Sequence, residues 1–252
     1  MNTNSNIYTV VYTAIVVVVV AAVLAYVSLA LAPKQSANVK AETLSQMMIA
    51  AKIDTKEGFA KMGNDNILVK YSEEIAEAFT IGLDGEKNGE LKTSKEDIEL
   101  IDNLKPQDVA IRNAGAVTLP VYVFKSGITV IPVYGAGLWG PIWGYIALQP
   151  DHKTIAGAYF DHASETPGLG AKIKDDPAFQ EEFIGKEFDL NNAETPFRIV
   201  KGGAPEGDIH AVDAITGATM TCNGLGKAID KWVGAYSNYL NKVQATEETS
   251  NE

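Results

Sequence analysis

The sequence predicts an α+β protein: an N-terminal transmembrane helix followed by a domain in which an antiparallel sheet is flanked by helices. Three observations carry that expectation. Residues 7–32 are apolar without a single charge, strand-like runs rich in β-branched and aromatic residues cluster from residue 119 to 162, and helical periodicities stand before and after those runs. The 252 residues suit one medium domain with accessories, and 46% hydrophobic with 21% charged residues is an ordinary globular composition.

The run IYTVVYTAIVVVVVAAVLAYVSLALA spans roughly 26 residues, about 39 Å as a helix, enough for a hydrocarbon core of about 30 Å. Its valines are poor helix formers in water, but a lone span in lipid can satisfy its amides only as a helix. A cleaved signal peptide is the competing reading, because Ala30, Leu31 and Ala32 resemble a cleavage site. The basic n-region is missing, the apolar run exceeds a typical h-region, and Pro33 follows the proposed cut, so a retained anchor is expected. Lys34 and Lys40 nominally favour a cytoplasmic C-terminal side, although long folded domains translocate largely regardless of nearby charge.

Pro33 is read as the end of the span and residues 34–40 as a polar connector. In AETLSQMMIAAKI, Leu44, Met47, Met48 and Ala51 recur at helical spacing, which marks a juxtamembrane helix whose methionines pack in the ordinary way. Residues 72–104 are rich in Glu, Lys, Asp and Asn with Gly82, Gly85 and Gly89, and read as a helix fragment entering an exposed acidic loop. The expected division is thus 1–6 as a tail, 7–32 as the span, 33–118 as juxtamembrane helix and acidic helical and loop region, 119–244 as the core, and 245–252 as a disordered tail.

Within the core, LPVYVF, a turn at Lys125-Ser126-Gly127 and ITVIPVYG predict a hairpin. IWGYIALQ, a turn around residues 150–153 and TIAGAYFDH extend an antiparallel meander, with PFRIVKGG as a later strand and DPAFQEEFIGKEF as a helix between them. After Thr219, the stripe Leu225, Ile229, Trp232, Val233, Tyr236 and Leu240 predicts an amphipathic helix.

Charge and side-chain inventory exclude several chemistries. With 32 Asp and Glu against 21 Lys and Arg the formal charge is -11, so a basic nucleic-acid groove is not expected. One cysteine, Cys222, and three histidines leave little material for a structural metal, and no metal site is assigned. His162 and Glu165 have H-x-x-E spacing but no third ligand nearby. Redox chemistry would have to come from a bound organic cofactor.

Gly135-Ala136-Gly137-Leu138-Trp139-Gly140 matches G-x-G-x-x-G, but Pro141 and a strand follow where a dinucleotide fingerprint must open a helix. What remains is a glycine loop that a flat ligand or another backbone can approach closely. The run from His162 to Gly170 combines an acid, hydroxyls and glycine backbone at a strand end. Asp213-Ala214-Ile215-Thr216-Gly217-Ala218-Thr219-Met220-Thr221 precedes the last helix, where free amides and the helix dipole favour an anion. Its threonines are either N-caps or a phosphate seat, and no Walker loop is present.

D-x-x-T-G-A-T at 213–219 resembles the flavinylation motif of covalent FMN-binding domains, and GLWGPIWG, ETPGLG and VKGGAP resemble the flavin-binding C subunit of the sodium-translocating NADH:quinone reductases. The resemblance implies FMN esterified through its phosphate to Thr219. It implies a cofactor site made up of Asp213, Thr216, Gly217, Ala218, Thr221, Glu165, Thr166, Gly168, Leu169, Gly170, Lys201, Leu138, Trp139 and Gly140. Asp213 would shape the turn or serve enzyme recognition, and Lys201 would offset phosphate charge. No catalytic residue beyond the flavin is implied. A flavin transferase using FAD and magnesium would load the threonine with release of AMP.

The resemblance further implies an electron relay from iron-sulfur centres toward the flavin of the B subunit and then quinone, with the A, B, D, E and F subunits as partners. It implies a single-pass protein of the bacterial inner membrane, anchored in lipid, with its flavin domain on the periplasmic side, against the weak lysine bias. Thr216 stands where many members carry Ser. Cys222 is either a packing thiol or one whose pKa the helix start lowers. Alternatives are the G subunit of an Rnf-type complex fed by ferredoxin, a tethered protein binding flavin reversibly, and a structural tether without flavin.

Overall fold

The computed structural model describes residues 6–192 and 194–250. Residues 1–5 and 251–252, the outer parts of the two expected tails, lie outside the described residues. The chain divides into two units, residues 1–42 and 43–252.

Helix α1 runs Asn6–Ala50. Its portion in the first unit contains the only described helix long and apolar enough to cross a membrane, with a mean hydropathy of 2.9. Valines and leucines from Val10 to Leu31 stand exposed along it, as expected of side chains that face lipid rather than a protein core. Pro33 does not end this helix, and residues 34–40 are helical rather than a connector. A proline removes one amide donor and clashes one turn back, yet KQSANVK holds no glycine and the turns on either side continue through it.

In the second unit, the last turns of α1 bring Leu44, Met47 and Met48 to full burial, the ordinary packing expected of that stripe. The helix ends in a Schellman motif: the Lys52 amide donates to Ile49 O at 3.0 Å and the Ile53 amide to Met48 O at 2.9 Å. Short helices α2 (Lys56–Ala60) and α3 (Asn64–Glu74) follow.

Residues 72–104 are not an acidic loop beyond a helix fragment. They carry β1 (Ile75–Ile81) and β2 (Lys87–Glu90), which pair antiparallel around a turn with Gly85 at φ +76°. Charge hid them: β2 is an edge strand, and edges stay soluble by carrying residues such as Lys87 and Glu90. β1 is internal and buries Ile75, Ala78, Phe79 and Ile81.

Helix α4 (Lys105–Arg112) precedes β3 (Leu119–Phe124), β4 (Thr129–Ala136), β5 (Pro141–Leu148) and β6 (Ile155–His162). The six strands form one antiparallel sheet in the order β2-β1-β3-β4-β5-β6. α5 (Lys172–Asp175) lies before the expected DPAFQEEFIGKEF helix, of which only α6 (Pro177–Glu181), capped by Asp176, is helical; residues 182–185 form a turn. β7 (Arg198–Val200) does not join the meander; it pairs in parallel with β8 (Ala211–Asp213) as a separate ribbon.

The chain closes with α7 (Thr219–Ser250), so residues 245–250 are helical rather than disordered. All six residues of its predicted stripe are fully buried. Alternation along the strands puts Gly135 and Ile142 on the face that receives α7, and the neighbouring cross-strand pair Trp143 and Asp161 on the face that receives α1. A Cβ on Gly135 would stand 2.7 Å from that of Ala228, so glycine sets how closely α7 lies on β4. On the opposite face the Gln46 amide donates to Asp161 Oδ2 at 2.9 Å and receives the Trp143 indole N–H at 3.2 Å. Lys174 Nζ pairs with the same Asp161 oxygen at 2.8 Å. Asp108, buried on α4, takes Lys231, Arg112 and the Trp232 indole, and thereby ties α4 to α7.

Candidate functional site

Three loops meet at the N-terminus of α7: the β4–β5 turn with Leu138 and Trp139, the segment after β6 from Ser164 to Gly170, and the turn before Thr219. Two of them close as tight turns of one kind. Thr166-Pro167-Gly168-Leu169 closes with the Leu169 amide donating to Thr166 O at 3.1 Å, proline second and Gly168 third at φ +74°, the pattern of a type II turn. Ile215-Thr216-Gly217-Ala218 repeats it, with the Ala218 amide donating to Ile215 O at 3.0 Å and Gly217 at φ +81°. The two turns touch, since a Cβ on Gly217 would stand 2.9 Å from Leu169 Cδ2.

The Cys222 amide donates to Ala218 O at 2.9 Å, which makes Ala218 the residue before the helix and Thr219 its first residue. The amides of Thr219, Met220 and Thr221 therefore have no acceptor inside α7 and form its anion-attracting end.

A pocket of about 130 Å³ lies between the loops, lined by Leu138, Glu165, Thr166, Leu169, Gly170, Gly217, Ala218, Thr219, Met220 and Thr221. That is below the ~300–1,000 Å³ of a pocket that encloses a drug-sized ligand. It takes one end of a molecule, and the remainder must lie over the rim. The rim is apolar: Leu138, Leu169 and Met220 of the lining are 49%, 43% and 60% exposed, and Trp139, next to Leu138 in the β4–β5 turn, is 67% exposed. Outside α1, they are four of the seven large hydrophobic side chains exposed among the described residues, so apolar exposure is concentrated here.

Glu165 is the charged group of the wall and is only 5% exposed. Its Oε1 accepts from the Trp139 amide at 2.9 Å, and its Oε2 from the Thr221 hydroxyl at 2.6 Å. Burial pushes the carboxyl up, but the Thr221 hydroxyl, the Trp139 and Leu138 amides and His162 outweigh it and hold it below the ordinary carboxylate range. His162 Nδ1 accepts from the Glu165 amide at 3.1 Å, so that nitrogen serves the loop. Close approach explains three glycines. A Cβ on Gly137 would collide with Glu165 Oε1, one on Gly170 would stand 2.5 Å from both Glu165 Oε2 and Thr221 Oγ1, and one on Gly140 2.5 Å from Ser164 Oγ.

Nine of the residues singled out in the sequence thus line one pocket, and the others stand around it. Trp139 and Gly140 belong to the β4–β5 turn, and Gly168 and Thr216 to the two type II turns, exposed. Asp213, exposed at the end of β8, accepts from the Ala204 amide at 2.7 Å, while its own amide donates to Glu182 Oε2 at 2.7 Å. It braces the VKGGAP segment against the turn. Burial, and then the Asp213 charge, push the Glu182 carboxyl up against the pull of the Asp213 amide. Lys201 is exposed one residue beyond Val200, the strand partner of Asp213, and does not line the pocket. Sequence reasoning misses Met220 and Glu182: Met220 lies directly after the 213–219 motif, whereas nothing in the sequence ties Glu182 to residue 213.

Cys222 is buried, and burial pushes its thiol up despite the Ile215 backbone contact, which is the behaviour of a packing thiol. It lines a separate groove of about 210 Å³ with Phe197, Arg198, Lys227 and Asp230. A larger cleft of about 510 Å³, bordered by Ile49, Lys52, Tyr159 and Lys174, shares only the second unit with the three loops.

Comparison with known proteins agrees with this geometry. The family described as FMN-binding domain matches residues 137–234, which begin in the β4–β5 turn and end in α7. The C subunit of Na(+)-translocating NADH-quinone reductase from Vibrio anguillarum is 31% identical over 227 residues, 86% of this chain and 87% of that protein. Its counterpart from Yersinia pestis is 36% identical over 146 residues, 55% of this chain and 54% of the relative. Among solved structures, the C subunit from Parabacteroides distasonis superposes with a TM-score of 0.65 at 30% identity, covering 82% of this chain and 94% of that one. Shewanella oneidensis NqrC gives 0.62 at 31% identity, covering 81% and 97%. On the extent of these matches in sequence and in fold, the chain belongs to the family of the C subunits of the Na(+)-translocating NADH-quinone reductases.

Proposed function

We propose that this protein is the electron-relay subunit of a sodium-pumping NADH:quinone oxidoreductase and carries FMN esterified through its phosphate to Thr219. The observation that supports this most is the place of Thr219. It is the first residue of α7, half-buried, and lines a pocket edged by exposed apolar residues. A phosphodiester on Thr219 meets the free amides of the first helical turn, and the dipole of α7 favours its charge. The apolar rim of Leu138, Trp139, Leu169 and Met220 suits a flat ring outside a small pocket. The glycines that leave room for Glu165 make the cradle that larger residues would fill.

When bound, the flavin supplies the electron chemistry, and the protein supplies position and the local field. Loading joins the Thr219 oxygen to the FMN phosphorus of FAD; the hydroxyl proton and AMP leave, with magnesium and a flavin transferase required. Asp213 is tied to the Ala204 amide rather than aimed at the pocket, which suits a role in shaping the turn. The anchor helix holds the domain at the bacterial inner membrane, on the periplasmic side. There the relay runs from iron-sulfur centres through this subunit toward the flavin of the B subunit and quinone. The A, B, D, E and F subunits are its partners, and reading the chain as a reversible flavin binder or an Rnf component finds no separate support.

The test is coexpression of the full chain with the transferase, followed by denaturation. Wild type keeps a yellow label and Thr219→Val folds without one; a label retained by Thr219→Val contradicts the assignment.

A further inference from the structure

Glu165 joins all three loops at once. Its Oε1 binds the Trp139 amide of the β4–β5 turn, its Oε2 binds Thr221 in the first turn of α7, and its backbone opens the segment that supplies Thr166, Leu169 and Gly170. Gly137 and Gly170 leave just the space its two oxygens occupy. The partners that satisfy it are a hydroxyl and backbone amides, His162 is its neighbouring ionisable group, and no Lys or Arg lines the pocket, so the wall carries a negative charge.

We propose that Glu165 is a positioning residue for the bound flavin. Its carboxylate pins Thr221, and with it the helical turn that presents the Thr219 hydroxyl, and its charge opposes electron entry into a ring held at the pocket. The inference rests on the reading that FMN is carried on Thr219. Pinning follows from geometry: Thr219 and Thr221 share one turn, so fixing Thr221 Oγ1 at 2.6 Å removes freedom that a transferase would otherwise have to overcome. The field follows from charge: a buried carboxylate with no Lys or Arg in the pocket lining disfavours negative charge added nearby, which lowers the reduction potential.

Two variants of the full-length protein separate these effects. Glu165→Gln removes the charge and one of the two acceptor oxygens, so the Trp139 and Thr221 bonds cannot both be kept as they are; Thr221→Val removes the pin and keeps the charge. Both are loaded with purified flavin transferase, FAD and magnesium, with loading rate read by intact mass and the midpoint potential by spectroelectrochemical titration. Both variants are expected to load more slowly than wild type. Loaded Glu165→Gln is expected to favour reduction by about tenfold, about 59 mV for a one-electron couple, while Thr221→Val stays at the wild-type potential. An unchanged potential in Glu165→Gln overturns the charge role, and wild-type loading rates in both variants overturn the positioning role. Should Glu165→Gln fail to fold, Thr221→Val decides the positioning role by its rate, and a Thr221→Val potential raised by the full shift of about 59 mV with the charge still present overturns the charge role. Failure of wild type to acquire a covalent flavin on the peptide containing Thr219 overturns the parent reading instead, and is told apart by that one control.

Discussion

Gly170→Ala probes the junction of the three loops without touching a side chain. Gly170 is buried, and the added Cβ would stand 2.5 Å from Glu165 Oε2, 2.5 Å from Thr221 Oγ1 and 3.2 Å from Glu165 Cβ. Backbone strain is not the issue, because Gly170 is not among the residues with positive φ. Relief requires the carboxylate to swing away, but the Trp139 amide holds its other oxygen. The bond that gives way is the one from Thr221, and a hydrogen bond to a charged acceptor is worth about 1.5–3 kcal/mol. Replacing glycine by alanine returns roughly 0.4–1 kcal/mol through the unfolded chain. The net expectation is a loss of about 1–2 kcal/mol, or a fall of roughly 0.5–1 M in the urea midpoint at a slope of about 2 kcal/mol/M. The assay is urea unfolding of the detergent-solubilised full chain, followed by tryptophan fluorescence. A Gly170→Ala protein as stable as wild type would refute the inference that Glu165 and Thr221 fill the space a side chain needs.

Three further outcomes concern other parts of the fold. Gly226→Ala, on α7 with no atom within 4 Å of the new Cβ, gains about 0.5–1 kcal/mol in the same urea assay. Asp108→Asn loses about 2 kcal/mol by leaving Lys231 and Arg112 unmatched, less than for a fully enclosed pair because both cations reach solvent. Asp230 is held at about 6 by burial, with the Phe197 amide pulling the other way. A carboxyl whose folded pKa is raised loses stability as pH climbs from its ordinary value of 3.8 through about 6. Asp230→Asn therefore gains on wild type across that window and differs little below it, as urea midpoints at a series of pH values would show.

Legibility of the fold follows burial. The α7 stripe and the β3–β4 hairpin are readable because their apolar residues repeat at the period of the element, and the structure buries each of the stripe residues. β1 and β2 are obscured because an edge strand of Lys87-Asn88-Gly89-Glu90 has the composition of a loop; pairing with Phe79, Thr80 and Ile81 makes it a strand. Pro33 misleads for a related reason: a local rule for helix ends fails where the turns on both sides carry the helix on. The β7–β8 ribbon depends on a parallel pairing, which short local patterns do not encode.

At the site the motifs are visible in the sequence, but their joint is not. D-x-x-T-G-A-T, ETPGLG and the glycine turn each stand out, and 56 residues separate Thr221 from Glu165. Only the fold shows that one carboxylate connects them and that Gly137 and Gly170 are small on its account. Asp213 reads as an element of turn geometry on electrostatic grounds, and its bond to the Ala204 amide is consistent with that role. Lys201 reads as a counter-charge; it lies exposed beside the motif and off the pocket lining.

The central claim is that the hydroxyl of Thr219 carries the flavin phosphate. Peptide mass spectrometry of the protein taken from native membranes under acid denaturation tests it most directly. The account predicts one flavin phosphate on the peptide spanning Thr219, with fragmentation placing it on that side chain. An unmodified peptide, or the flavin on any other residue, would contradict it.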